Sequence, residues 1–96
     1  MLDQKEILEK LKSLKPYLFK EFGVSEIGVF GSVARNESTE SSDIDILVNF
    51  ERPLGWKFFS LQLYLEQIFQ RKIDLVTKDG IKEQLKKDIL THVNYI

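Results

Sequence analysis

Cysteine is absent from the 96 residues, so neither a disulfide framework nor a thiolate zinc site is available. No sign of charge predominates: 14 Lys and Arg stand against 15 Asp and Glu, a formal net charge of −1. Proteins that follow a nucleic-acid backbone usually carry a basic face, and this balance argues against nucleic acid as a partner. No apolar run reaches the length that spans a bilayer, and the first twenty residues hold too many charges for a signal peptide. These absences predict a cytoplasmic protein with no membrane association. Histidine is almost missing too. The single His92 lies near the C-terminus, far in sequence from the acidic motifs, and reads as a surface or half-buried residue.

What is present is ordinary for a globular protein, with 43% apolar and 30% charged residues. The length suits a single domain over residues 1–96 with a small core. Residues 3–21 read as an amphipathic helix, because Ile7, Leu8, Leu11, Leu14 and Leu18 recur at helical spacing. Asp3 is the candidate N-cap, with Glu6 three residues on, as in a capping box. Gly23 ends the segment, and Pro16 predicts a kink or break that would leave two short helices. Lys10, Lys12, Lys15 and Lys20 read as a solvated helix face.

Residues 27–30 form a short apolar run, read as a buried strand that ends in Gly31-Ser32. A helical turn over 32–35 and a polar loop over 36–42 follow. Residues 43–50 make a second strand, with Ile44, Ile46 and Val48 on one face and Asp43, Asp45 and Leu47 on the other. A helix over 56–69, a strand over 72–76 closed by Asp79-Gly80, and an amphipathic helix over 81–93 complete the order. The expected fold class is a small α/β (α+β) mixed sheet with flanking helices. In the central helix Phe58, Leu61 and Leu65 are assigned to the core. Trp56, Phe59, Leu63 and Tyr64 supply either more packing or a surface for a partner chain or an oligomer contact.

The chemistry-bearing residues interrupt these apolar runs. Asp is disfavoured inside strands, yet Asp43 and Asp45 both sit in one strand-like run and Asp74 in another. Two carboxylates at spacing two share a strand face and repel each other unless a cation lies between them. Oxygen ligands of this kind suit Mg²⁺, which is held by a few carboxylates together with substrate phosphates. Taken singly, each aspartate has a bland reading: Asp43 as a strand-start cap, Asp45 as a solvated side chain, Asp74 as an edge charge that discourages aggregation. Gly31-Ser32 alone is a common turn. Its functional reading is a phosphate site, because glycine permits close backbone approach and a helical turn starting there presents free N–H groups. The three aspartates with the Gly-Ser turn are much harder to explain blandly.

The run from Gly31-Ser32 through Val33-Ala34-Arg35 to Ser42-Asp43-Ile44-Asp45-Ile46-Leu47-Val48 resembles the signature of the nucleotidyltransferase superfamily typified by DNA polymerase β: Gly-Ser, ten residues, Asp-x-Asp. Within that superfamily the chain is most similar to the minimal nucleotidyltransferase (MNT) domains encoded beside HEPN toxins in prokaryotes. The likeness extends to the leading helix, the Ile73-Asp74-Leu75-Val76 strand, and a last helix ending in Asn94-Tyr95-Ile96. One departure is Asn36, where such domains often have glycine. Asn tolerates the left-handed backbone expected at the end of the turn.

The resemblance implies a truncated polymerase-β-like palm that moves AMP from ATP with two Mg²⁺ ions. Asp43, Asp45 and Asp74 would be both the catalytic carboxylates and the metal ligands, with Asp74 nearest the attacking hydroxyl. Gly31 and Ser32 would hold the triphosphate. Arg35 either neutralises a phosphate oxygen or pairs with Glu37. The implied acceptor is a tyrosine of a HEPN ribonuclease toxin, which would make the chain that toxin's antitoxin. Two rival readings stay open: an antitoxin that acts by binding alone, and a nucleotidyltransferase acting on RNA or a small molecule. The intact Gly31, Ser32, Asp43, Asp45 and Asp74 argue against the first, and the near-neutral charge weakly against RNA.

Overall fold

The computed structural model describes residues 3–37, 39 and 42–96. Of the polar loop read over 36–42, Ser38, Glu40 and Ser41 lie outside the described residues. The order is α1 (Gln4–Phe22), β1 (Val24–Phe30), α2 (Gly31–Ala34), β2 (Ile44–Phe50), α3 (Lys57–Phe69), β3 (Ile73–Thr77), a 3₁₀ turn (Lys78–Gly80), α4 (Glu83–His92) and β4 (Asn94–Tyr95). It is a mixed α/β architecture: a four-stranded sheet in the order β3-β2-β1-β4, flanked by helices. The pair β1/β2 is antiparallel, β2/β3 is parallel, and β4 runs antiparallel to β1.

Helix α1 begins where its cap predicts: the Asp3 side chain accepts from the Glu6 N–H at 2.9 Å. It ends at Gly23, left-handed at φ 68°, whose N–H bonds the carbonyls of Leu18 and Phe19. The expected break at Pro16 does not occur; the helix runs through it. An interior proline costs about 3 kcal/mol. Leu11 and Leu18 on either side are fully buried, and each such side chain contributes about 1.5–3 kcal/mol, enough to hold the two halves in line.

The sheet has two unlike faces. Ile27 and Val29 of β1, Ile44, Ile46 and Val48 of β2, and Ile73 and Leu75 of β3 pack on Ile7, Leu11 and Leu18 of α1 and on Leu61, Leu65 and Phe69 of α3. The alternate positions face the other way. There Val93, just after α4, closes on β1: a Cβ added to Gly28 would lie 2.8 Å from Val93 Cγ2 and 3.0 Å from the Asn94 carbonyl oxygen. That room lets residues 94–95 pair with Gly28 and Val29 as a strand, where the sequence suggested the end of a helix. Among the described residues no helix is long and apolar enough to cross a membrane.

The open positions of α3 divide. Phe58 and Tyr64 are half-buried, with the Tyr64 ring 5.2 Å from that of Tyr17 and 6.4 Å from that of Phe22. Trp56, Phe59 and Leu63 are 86%, 58% and 65% exposed and form an outward apolar stripe. Of the four lysines read as solvated, Lys15 differs: its Nζ donates to the Ile96 carbonyl at 2.6 Å.

Candidate active site

The parallel pairing of β2 with β3 sets Asp45 opposite Asp74. The antiparallel pairing of β2 with β1 sets Asp45 also opposite Phe30, the residue before Gly31. Three segments remote in sequence therefore meet at Asp45. Its carboxyl group is half-buried and hydrogen-bonds that of Asp74. Burial is the largest cause that raises the Asp45 pKa from 3.8 to about 6; the charge and hydrogen bond of Asp74 and the charge of Asp43 add to it, and the Arg35 guanidinium opposes it. The two acidic groups face each other across the strand pair, and a cation between them would relieve their repulsion.

Asp43 stands apart. It precedes β2 rather than lying in it, and it is exposed. Its charge reaches Asp45. Among the described residues, however, no three acidic or histidine side chains converge into a ready metal cage. The sequence reading of a three-carboxylate cluster is thus met as a close pair with a neighbour. Asp43 lies just ahead of β2, outside the ladder, whereas strand pairing fixes Asp45 and Asp74. The Asp45–Asp74 pair still suits a hard divalent ion, because a cation would relieve the repulsion that raises the Asp45 pKa.

Gly31 touches this pair directly. Its φ is +69°, and a Cβ placed there would lie 2.0 Å from Asp45 Oδ2. The missing side chain makes room for the carboxylate of Asp45, where the sequence reading reserved it for a phosphate. The turn α2 that follows is fixed at its far end. Gln4 Nε2 donates to the carbonyls of Val33 and Ala34, both at 3.0 Å. Asn36 takes the left-handed conformation expected of it, φ 58°, and donates its N–H to the Val33 carbonyl at 3.0 Å. Ser32 is half-buried at the start of this turn. Arg35 pairs with Glu37, Nε to Oε2 at 3.1 Å, both side chains more than half exposed.

Two residues near the site have surroundings that the sequence does not show. Arg71, just before β3, donates from Nε to the Ser42 carbonyl at 3.2 Å and from Nη2 to the Thr39 carbonyl at 3.0 Å. It ties the loop ahead of Asp43 to the strand that carries Asp74. No local pattern signals it, because its partners are backbone groups about thirty residues away. His92 is the other. It is not remote from the site: it shares a cavity of 190 Å³ with Gly31 and Arg35.

A nucleotidyltransferase domain model matches residues 4–96. The chain belongs to the nucleotidyltransferase domain family. Among its relatives in that family is the protein adenylyltransferase MntA of Thermococcus cleftensis, 45% identical, the alignment covering 100% of this chain and 98% of that one. A Methanocaldococcus jannaschii protein provisionally named a protein adenylyltransferase is 46% identical, with 95% of each chain covered. A solved structure provisionally described as a minimal nucleotidyltransferase superposes with a TM-score of 0.82 at 29% identity, over 97% of this chain and 95% of that one. A toxin–antitoxin crystal structure with AMP-PNP matches with a TM-score of 0.71, over 98% of this chain and 72% of that one. Its identity is 22%, so it speaks for the fold alone.

Proposed function

We propose that this nucleotidyltransferase is a protein adenylyltransferase that moves AMP from ATP to a tyrosine hydroxyl of a HEPN-family toxin and so serves as its antitoxin. The observation that carries the reading is the register pairing of Asp45 with Asp74, with Gly31 seated against Asp45. A module that acts only by contact has no use for two carboxyl groups forced together at a cost to one of them. The protein acceptor rests on the relative named a protein adenylyltransferase at 45% identity over the whole chain.

In this reading Asp45 and Asp74, with Asp43 beside them, hold two Mg²⁺ ions, which would polarise the α-phosphate and neutralise charge on the attacking and leaving oxygens. Gly31 and Ser32 bind the triphosphate and orient it. The acceptor oxygen bonds to the α-phosphorus, the bond from that phosphorus to the β-phosphate oxygen breaks, and pyrophosphate leaves. A tyrosine hydroxyl ionises near pH 10, so it must lose its proton as it attacks. Asp74 is exposed and takes that proton on a carboxylate oxygen. The domain occupies residues 1–96 and works in the cytoplasm.

The test combines labelled ATP, Mg²⁺ and a toxin encoded beside this gene, with mass spectrometry of the toxin. The wild type should add one AMP to a tyrosine, and Asp74→Asn should bind the toxin yet add none. Protection of cells by Asp74→Asn, with normal complex formation and no transfer, would replace this reading by neutralisation through contact. The exposed stripe of Trp56, Phe59 and Leu63 is the feature that favours that second reading.

A further inference from the structure

His92 belongs to a structural setting that its sequence position hides. Helix α4 and the turn α2 face each other across a cavity of 190 Å³ lined by Phe30, Gly31, Arg35, Asp88, Ile89 and His92. Gly31 joins this cavity to the carboxylate pair: it lines the cavity, and a Cβ built on it would meet Asp45 Oδ2. Whatever fills the cavity is therefore next to whatever reacts at Asp45 and Asp74.

Two basic side chains line it. Among the described residues Arg35 pairs with Glu37, and their side chains are 56% and 66% exposed. Such exposed pairs are worth about 0–1 kcal/mol, so a stronger anion displaces Glu37 at little cost. His92 is tethered on one side. Its Nδ1 lies 2.9 Å from the Asp88 carbonyl oxygen and 3.4 Å from Asp88 Oδ1, which makes Nδ1 a donor and turns Nε2 away from Asp88. Asp88, the one acid among the described residues lining the cavity, is thus engaged by the histidine.

We infer that His92 and Arg35 form the α4-side wall of the polyphosphate site and contact the β- and γ-phosphates that leave as pyrophosphate. The inference rests on the nucleotidyl-transfer reading above. Beyond the α-phosphate a nucleotide continues either to its ribose or to its β-phosphate, and a wall with an arginine and a histidine selects the anionic branch. To donate to a phosphate oxygen the ring carries a proton on each nitrogen: the Asp88 oxygens accept one, and the phosphate accepts the other. His92 is then a residue that binds and orients the leaving group, and α4 becomes part of the nucleotide site.

Calorimetry on the whole chain with Mg²⁺ tests this, using ATP, inorganic pyrophosphate and AMP as probes. For His92→Ala, ATP and pyrophosphate should each bind about tenfold more weakly, the loss of one charge-assisted hydrogen bond, with AMP unchanged. His92→Lys, which restores a cationic donor, should recover most of that loss. Equal weakening of ATP and AMP would overturn the proposal and give the cavity to the nucleoside. Unchanged ATP and pyrophosphate binding would overturn it outright. Failure of the wild type to bind ATP would count against the nucleotidyl-transfer reading itself, and that outcome is separate from both others. His92 is largely exposed, so a melting curve that matches the wild type is expected and shows that binding, not folding, has changed.

Discussion

The two faces of β2 differ by one residue step and have opposite chemistry. Ile44, Ile46 and Val48 are sealed beneath α1 and α3. Asp45 looks the other way, toward Asp74 and Gly31 at the start of α2. The first face is covered by long amphipathic helices whose burial stabilises the fold. The second carries a carboxyl pair that opposes stability, since burial and like charge both raise the Asp45 pKa. Strand alternation lets one segment do both tasks, and the helix-covered face supplies the rigidity that holds the acidic pair in place.

Adjacent substitutions should break this comparison most sharply. Ile46→Asp places an unpaired carboxylate in the sealed core, at a cost of several kcal/mol against a total stability of roughly 5–15 kcal/mol. Its cooperative melting should be lost or its midpoint lowered by more than about 15 °C. Asp45→Asn, one residue away, should melt at or above the wild-type temperature, because it removes a half-buried like charge. Its AMP transfer should fall by at least about a hundredfold, a usual loss when a preorganised charge at a reacting centre is removed. A folded Ile46→Asp or an unfolded Asp45→Asn would show that the two faces do not divide the work this way.

The acidic face was legible in the sequence because aspartates are out of place inside apolar strands. The core was legible because Ile44, Ile46 and Val48 alternate and Ile7, Leu11 and Leu18 keep helical spacing. Pro16 misled because a local cost was overridden by burial on both sides of it. The strand β4 was missed because two residues carry no period, and its cause, the empty space at Gly28, is a property of a distant strand. Arg71 was missed for the same reason, and His92, rightly read as a surface residue, gave no sign of the cavity beside it. What places them at the site is chain crossing, not spacing, and a histidine in the last turn of an exposed helix looks the same whether or not a cavity lies beside it. Asp43 shows the converse: its motif was clear, but the exposed position ahead of the strand was not.

Two glycines sharpen the comparison at the boundary between the faces. Gly31 and Gly55 both have positive φ, +69° and +56°. Alanine at either pays for a left-handed backbone, about 1–2 kcal/mol. A Cβ at Gly55 meets nothing within 4 Å, whereas one at Gly31 collides with Asp45 Oδ2. Gly55→Ala should therefore lower the melting temperature slightly and leave transfer intact. Gly31→Ala should cost more stability, about 1–3 kcal/mol in all, and should displace Asp45 enough to reduce transfer about a hundredfold. Equal transfer by the two variants would mean that Gly31 serves only as a turn.

A smaller effect belongs to the loop. Arg71→Gln keeps a donor but loses the fork that spans the Ser42 and Thr39 carbonyls. Its expected cost in stability is about 1–2 kcal/mol, with a rise in the Mg²⁺ concentration needed for half-maximal ATP binding as Asp43 becomes less well placed. An unchanged Mg²⁺ requirement would confine Arg71 to holding the loop.

The smallest expected effect is the dependence of stability on pH without divalent ions. Asp45 in the folded protein has its pKa raised to about 6, against 3.8 for the unexceptional group. Between those values the folded state holds a proton that the unfolded chain has released, so folding takes up protons and stability rises as pH falls through this window. Above the folded pKa the group is ionised in both states, and the cost of burying its charge is present in full. Below the unfolded pKa it is protonated in both, and the cost is gone. Other carboxylates titrate over the same range, so the informative quantity is the difference from Asp45→Asn. Melting temperatures of the two proteins should lie furthest apart above pH 6, with the variant higher, and should converge as pH approaches 4. Added Mg²⁺ should raise the wild type most at the upper end of the range, because ion and proton compete for the same pair of oxygens. A gap between the two melting curves that stays constant from about pH 7.5 to about pH 4.5 would show that the raised pKa of Asp45 does not contribute to the balance of forces on this face.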